Sequence, residues 1–211
     1  MKPRTVSGGE LARRAIPVRI GIDFDNTVAC YDGVFHRAAL DRGLIPRGLP
    51  THKDAVRDFL RAAGREDDWT ELQGHVYGSR MDLAQPYTGV REFLIAAEAQ
   101  GVEVVLISHK TRHPYRGRSL DLHAAARAFL ADNGLAGDGE GELPWRRVLF
   151  EETLAAKLAR IGSETCAVFV DDLPEFLDHP SFPPGATPIL FDPHRHYVGE
   201  ARFWRMPSWA A

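Results

Sequence analysis

Val18-Arg19-Ile20-Gly21-Ile22-Asp23-Phe24-Asp25-Asn26-Thr27 is a short apolar run that ends on two aspartates one residue apart. Four further runs of similar length follow, at 102–108, 147–150, 166–170 and 188–191, each rich in Val, Ile, Leu or Phe. Such runs suit strands buried on both faces of a sheet. Between them lie stretches of helical pattern: 88–100 closed by Gly101, 120–133 closed by Gly134, 153–161, and a short one after Pro174. Glycine just past a helix end and proline at its first turn are the usual punctuation. The alternation predicts an α/β fold, a Rossmann-like parallel sheet with helices on both faces.

The stretch between the first two runs is far longer than a simple crossover needs. Within it, Thr51-His52-Lys53-Asp54 opens the segment 51–63 as a weak capping box, and Ala55, Val56, Phe59 and Leu60 recur at helical spacing. A second helix is expected around 69–81, with Trp69, Leu72 and Val76 on one face. Residues 31–85 are therefore read as a mainly helical insertion, linked at 31–33 and 85–89, whose aromatic stripes form core.

Four carboxylates fall at strand ends: Asp23 and Asp25 after the first run, Asp171 and Asp172 after the fourth. Ligands of open parallel sheets bind outside the carboxyl ends of the strands. Adjacent aspartates leaving a buried strand repel one another unless a cation stands between them. An aspartate after a strand also serves as a turn former or helix N-cap, and Asp172, just before Leu173-Pro174, is open to that role.

Asp-Phe-Asp-Asn-Thr at 23–27 resembles the D-x-D-x-T nucleophile motif of the haloacid dehalogenase superfamily. The other elements follow in order: Ser108 closing the second run, Lys157 in the helix before the fourth, and the Asp171-Asp172 pair ending it. The match spans roughly residues 18–192. The resemblance implies a Rossmannoid core of residues 1–30 and 86–211, with 31–85 as a small helical cap closing over small substrates. It also implies a mechanism. Asp23 is the nucleophile that forms an aspartyl-phosphate, and Asp25 is the acid and then the base. Lys157 and Ser108, with Thr27, steady the phosphoryl oxygens. Mg2+ is the implied cofactor, held by Asp23, the carbonyl of Asp25 and a carboxylate from Asp171 or Asp172. Dehalogenases of the superfamily lack an acid at the second position, and phosphonate-cleaving members replace it and recruit a cap lysine. Asp25 therefore points to a phosphate ester. The expected function is a Mg2+-dependent phosphohydrolase of a small phosphorylated metabolite. A phosphotransferase or phosphomutase, or a non-catalytic binding member, is the alternative.

After Ser108 comes a basic loop, His109-Lys110-Thr111-Arg112-His113-Pro114-Tyr115-Arg116-Gly117-Arg118. His109, Lys110 and Arg112 are candidate contacts for a second anionic group of the substrate, or the loop pairs with acidic residues elsewhere. Tyr115 is expected to pack on Pro114. His194 and His196 lack an evident third ligand for a metal, and 137–142 reads as a flexible linker.

Composition sets the outer bounds. The chain has 211 residues, 44% hydrophobic and 26% charged, which fits a soluble globular protein needing no disulfide or structural metal. A net charge of −3 argues against a nucleic-acid footprint spread over the whole surface, so no nucleic-acid polymer is expected as partner. No run approaches the roughly 20 apolar residues of a membrane span. The first seventeen residues hold no apolar stretch of a secretory leader, and Cys30 and Cys166 read as reduced thiols, so a cytoplasmic location is expected. The tail, with Phe203, Trp204 and Trp209, either docks on the core or makes a homodimer contact.

Overall fold

The structure is a computed structural model and describes residues 18–135 and 145–210. The readings of residues 1–17 and 137–142 lie outside the described residues. In chain order, β1 (Arg19–Ile22) leads through a tight turn to β2 (Ala29–Cys30) and then to the helices α1 (Val34–Asp41), α2 (Lys53–Ala62) and α3 (Glu66–Ser79), followed by β3 (Gln85–Pro86). The rest alternates: α4 (Val90–Ala99), β4 (Glu103–His109), α5 (Leu122–Asp132), β5 (Trp145–Glu151), α6 (Leu154–Ser163), β6 (Val168–Asp171), α7 (Pro174–Leu177), β7 (Thr187–Phe191) and β8 (Trp204–Met206).

Six strands form one sheet in the order β5-β4-β1-β6-β7-β8, and every pairing is parallel. Each of the five apolar runs is one of its strands. Alternate residues of β4 show why the runs are continuously apolar. Val104 and Leu106 join the apolar cluster beneath α4 and α5, while Val105 and Ile107 join a second cluster under α6 and α7. Both faces are thus covered, as a parallel sheet requires. Gly101 and Gly134 follow α4 and α5 with φ of 68° and 63°, the left-handed turn a glycine C′ residue supplies.

β1 sits between β4 and β6, so the strand order reverses beside it. Ile22 is level with Leu106 on one side and Val170 on the other. Asp23 therefore emerges beside Asp171, with Ser108 two residues past Leu106 on the other flank.

The insertion is helical as expected, and β2 pairs with β3 in antiparallel sense where the chain leaves and returns. It shares one apolar cluster with the sheet: Phe35, Trp69, Leu72 and Val76 belong to the same buried group as Ile22, Phe24 and Phe129. Three details differ from the sequence-based expectation. α1 carries no strong signal, although Val34, Phe35, Ala38 and Ala39 are buried along one side. The cap of α2 is His52, whose Nδ1 accepts from the Ala55 N–H at 3.2 Å, rather than Thr51. The third helix begins at Glu66, with three acidic residues in its first turn where the helix dipole favours them.

The apolar tail docks on the core. Trp204–Met206 adds the sixth strand beside β7, and Trp209 is buried against Phe93 and Phe191, with ring centroids 4.9 and 5.6 Å away. Among the described residues no helix is long and apolar enough to cross a membrane.

Candidate active site

The turn after β1 is fixed by its own backbone. Asp23 N–H donates to Val170 O at 2.9 Å, and the N–H groups of Val28 and Ala29 both return to Phe24 O. Asn26 takes the left-handed φ of 56° that such a tight reversal demands and that Asn tolerates better than most residues. Asp23 and Asp25, two apart, both face one cavity of about 440 Å3, while Phe24 between them is buried in the core.

Lys157 reaches this cavity from the first turn of α6, whose N-cap Thr153 accepts from the Ala156 N–H at 3.1 Å. Its Nζ lies 2.6 Å from Asp23 Oδ1 and 2.6 Å from Asp171 Oδ2. The Phe176 ring, 4.1 Å away, closes over it. Burial works against the ammonium, but Asp171 and Asp23 outweigh it and hold Lys157 above the ordinary lysine range. Burial also pushes Asp23 up to about 7; Asp171 and Asp25 add to the shift against the pull of Lys157.

The acidic pair divides its work. Asp171 Oδ1 accepts from the Leu173 N–H at 3.0 Å and Oδ2 from Lys157, so both oxygens are engaged. Asp172 lines the cavity and, among the described residues, makes no hydrogen bond or ion pair. Burial, Asp171 and Asp23 raise its carboxyl well above the usual range. It caps no helix: α7 begins with Pro174 after Leu173, without a side-chain cap. Among the described residues no three acidic, His or Cys side chains converge as a metal cage. A hard cation bound here would be served by few protein oxygens, and Asp23 and Asp172, which both line the cavity, would be the carboxylates open to it.

Ser108 ends the buried part of β4, and its side chain lines the cavity without a hydrogen-bond partner among the described residues. His109 faces the same cavity, held below the usual histidine range by burial and by Lys157. Two other expected contacts stand elsewhere. Thr27 is fully buried away from the cavity; its hydroxyl has no partner among the described residues, and its carbonyl accepts from Trp209 Nε1 at 2.9 Å. The tight turn that presents Asp25 rotates Thr27 into the core. Arg112 is exposed and pairs with Asp121 at 3.0 Å.

The basic loop mostly pairs with acids rather than pointing into the cavity. Arg116 reaches Asp67 of α3 at 3.0 Å, and Tyr115 is 79% exposed instead of packing on Pro114. Lys110 pairs with an acid of the site itself. It is 4% exposed and lies 2.8 Å from Asp25 Oδ2. Two residues that the sequence reading did not assign to the site join it: Lys53 and Tyr77, from α2 and α3, bonded to each other at 3.0 Å and lining the cavity with Gln73. The Tyr77 hydroxyl, with Asp172 and Asp25, raises Lys53 against the opposing effect of burial. The signal for Lys53 was its scarcity, since the chain has four lysines, and three of them meet here.

No family model matches the chain, and no curated protein does. Solved structures match over nearly its whole length. A haloacid dehalogenase (HAD)-superfamily hydrolase of subfamily IA from Geobacter sulfurreducens has a TM-score of 0.55 at 11% identity, covering 92% of this chain and 93% of that one. A predicted phosphoglycolate phosphatase from Haemophilus somnus has a TM-score of 0.54 at 16% identity, covering 92% and 95%. A mutant CbbY from Rhodobacter sphaeroides, in complex with xylulose-1,5-bisphosphate, has a TM-score of 0.55 at 12% identity, covering 92% and 96%. The chain has the fold of the HAD-superfamily hydrolases.

Proposed function

We propose that this chain is a Mg2+-dependent phosphohydrolase of a small phosphorylated metabolite, working through an aspartyl-phosphate on Asp23. The observation that carries this reading is Lys157 bridging Asp23 and Asp171 at the carboxyl end of β1, with Asp25 two residues on and facing the same cavity. Residues 31–85 act as a cap over a core of 1–30 and 86–211.

An Asp23 oxygen attacks phosphorus while the bond to the leaving oxygen breaks, and that oxygen takes a proton from Asp25. Asp25 then accepts a proton from water, whose oxygen attacks the same phosphorus and frees Asp23 and inorganic phosphate. Lys157 keeps the Asp23 carboxylate aimed and offsets charge on the phosphoryl oxygens, and the Ser108 hydroxyl donates to one of them. Mg2+, held by Asp23, Asp172 and the Asp25 carbonyl, would supply charge neutralisation of the phosphoryl group. Lys53 and Tyr77 roof the cavity and help to exclude water.

The names of the fold neighbours, a predicted phosphoglycolate phosphatase and a protein bound to a sugar bisphosphate, support the substrate class. The test is phosphate release from a panel of phosphorylated metabolites, with and without Mg2+, for the wild type and Asp23→Asn. Mg2+-dependent release that the substitution abolishes is expected. Release that persists at near wild-type rate in Asp23→Asn overturns the covalent mechanism, and a folded wild type that releases none overturns the phosphohydrolase.

A further inference from the structure

The Asp25 carboxylate is gripped by two groups, Tyr31 and Lys110, that do not themselves line the cavity. Tyr31 Oη donates to Asp25 Oδ1 at 2.6 Å, and Lys110 Nζ lies 3.0 Å from that oxygen and 2.8 Å from Oδ2. Both donors are buried. The Tyr31 ring is wedged edge-on between Phe35 and Tyr77, with centroids 6.0 and 5.2 Å away. The Lys110 ammonium sits 4.5 Å from the centre of the Tyr77 ring and 5.4 Å from that of Phe24. Its main chain is anchored as well: the N–H donates to Glu151 O at 2.9 Å, and the carbonyl oxygen lies 2.6 Å from His123 Nε2.

These contacts come from three separate places. Tyr31 stands where the chain enters the helical insertion, Lys110 follows the Ser108 strand, and Tyr77 belongs to α3. A proton transfer needs heavy atoms about 2.6–3.2 Å apart, and a misplacement of about 1 Å can cost a factor of roughly 100. An aspartate on a turn, free to change rotamer, does not meet that demand unaided.

We propose that Tyr31 and Lys110 are positioning residues that clamp the Asp25 carboxyl in its proton-transfer orientation, and that Tyr77 of the insertion closes the clamp. The proposal rests on Asp25 being the acid/base of a phosphohydrolase. It gives Lys110 a role other than binding a second substrate anion, because both of the oxygens its ammonium faces belong to Asp25. It also ties the acid/base to the insertion: packing α3 against the core completes the cage around Lys110.

The experiment is a double-mutant cycle of Lys110→Met and Asp25→Ala, read with 4-nitrophenyl phosphate and by thermal unfolding. Nitrophenolate leaves without an acid, so the first step needs the clamp little, whereas hydrolysis of the aspartyl-phosphate still needs the base. Lys110→Met is expected to show a rapid release of one equivalent of nitrophenolate. Slow turnover follows, with kcat lower on the order of tenfold to a hundredfold and KM within about twofold. Lys110→Arg restores part of the rate. On the Asp25→Ala background the methionine substitution adds no further loss. A KM raised more than about tenfold with kcat kept, or a full additional loss on the Asp25→Ala background, overturns the proposal. Unfolding reads the clamp without turnover: Lys110→Met lowers Tm in the wild type but not in Asp25→Ala, and equal shifts in both overturn it. A wild type without phosphatase activity would defeat the phosphohydrolase reading, and the unfolding cycle would still decide whether the clamp exists.

Discussion

Lys157 Nζ and Asp23 Oδ1 stand 2.6 Å apart across 134 residues of sequence, both almost fully buried, in a pocket where Asp171 takes the lysine's other side. Charges placed so deep are costly unless paired, and removing one partner leaves the others uncompensated. Lys157→Met should therefore lower stability by about 3 kcal/mol and phosphate release by about a hundredfold or more. Urea unfolding and kcat check the two halves. A stable variant with near wild-type turnover would show that the lysine is merely structural filling.

Asp171 and Asp172 adjoin in sequence but not in task. Asp171 is saturated by Lys157 and the Leu173 N–H, while Asp172 faces the cavity unpartnered among the described residues. Asp172→Asn should raise the Mg2+ concentration for half-maximal activity by on the order of tenfold or more. Asp171→Asn should leave that midpoint nearly unchanged and instead lower Tm, because it frees one side of Lys157. Activity titrated with Mg2+ after chelator treatment, together with melting curves, separates the two. A reversed pattern would exchange their roles.

Gly74 of α3 is where the insertion meets the basic loop. A Cβ at this position would lie 2.6 Å from Pro114 Cβ and 3.3 Å from the Arg116 carbonyl oxygen. A proline ring cannot swing aside as a long side chain can. Gly74→Ala gains up to about 1 kcal/mol of helix propensity but must push the loop away, at a cost of about 1–3 kcal/mol. A net loss of about 1 kcal/mol is expected in denaturant titration. If the variant is more stable than the wild type, the loop yields freely.

Arg112 was a candidate substrate contact from its place after Ser108, yet it lies on the surface beside Asp121. Arg112→Ala should leave KM and kcat within about twofold for substrates carrying one or two anionic groups. A selective rise in KM for the doubly anionic substrates would return it to the site.

The contrast between Arg112 and Lys110 marks how far a single sequence carries. Strands buried on both faces are continuous apolar runs, so β1, β4, β5, β6 and β7 were legible, and with them the strand-end aspartates and Ser108. Lys157 was legible as the lysine of the helix before the fourth run, the place the family resemblance assigns to it. α1 is short and was hidden by a pattern that also fits a loop. The fate of the basic loop depends on acids brought near by folding, Asp67 from α3 and Asp25 from the turn, which lie far from it in sequence. Thr27 shows the same limit: its position in the motif is plain, but the sharp turn at Asn26 decides which way it faces. Tyr31 falls in the expected linker at 31–33 and Tyr77 in the second expected helix, and their hydroxyls acquire partners only in the folded chain.

Trp209 joins the C-terminal segment to the turn that carries Asp23 and Asp25. Its ring is 5% exposed between Phe93 and Phe191, and its Nε1 donates to the carbonyl of Thr27, two residues after Asp25. Truncating a buried tryptophan costs about 3–5 kcal/mol. Here the loss also leaves the Thr27 carbonyl without its donor, next to a Thr27 hydroxyl that has no partner among the described residues. Trp209→Ala should therefore lower stability by that amount, whereas Trp204→Ala, at a position 76% exposed on the edge strand, should change it little. Because the lost hydrogen bond anchors the turn that carries Asp23 and Asp25, kcat of Trp209→Ala should also fall at temperatures well below its Tm. Trp209→Phe separates the two effects: it keeps most of the apolar contact and loses only the N–H donor. If kcat is unchanged in both variants below their melting points, the tail stabilises the fold without holding the turn.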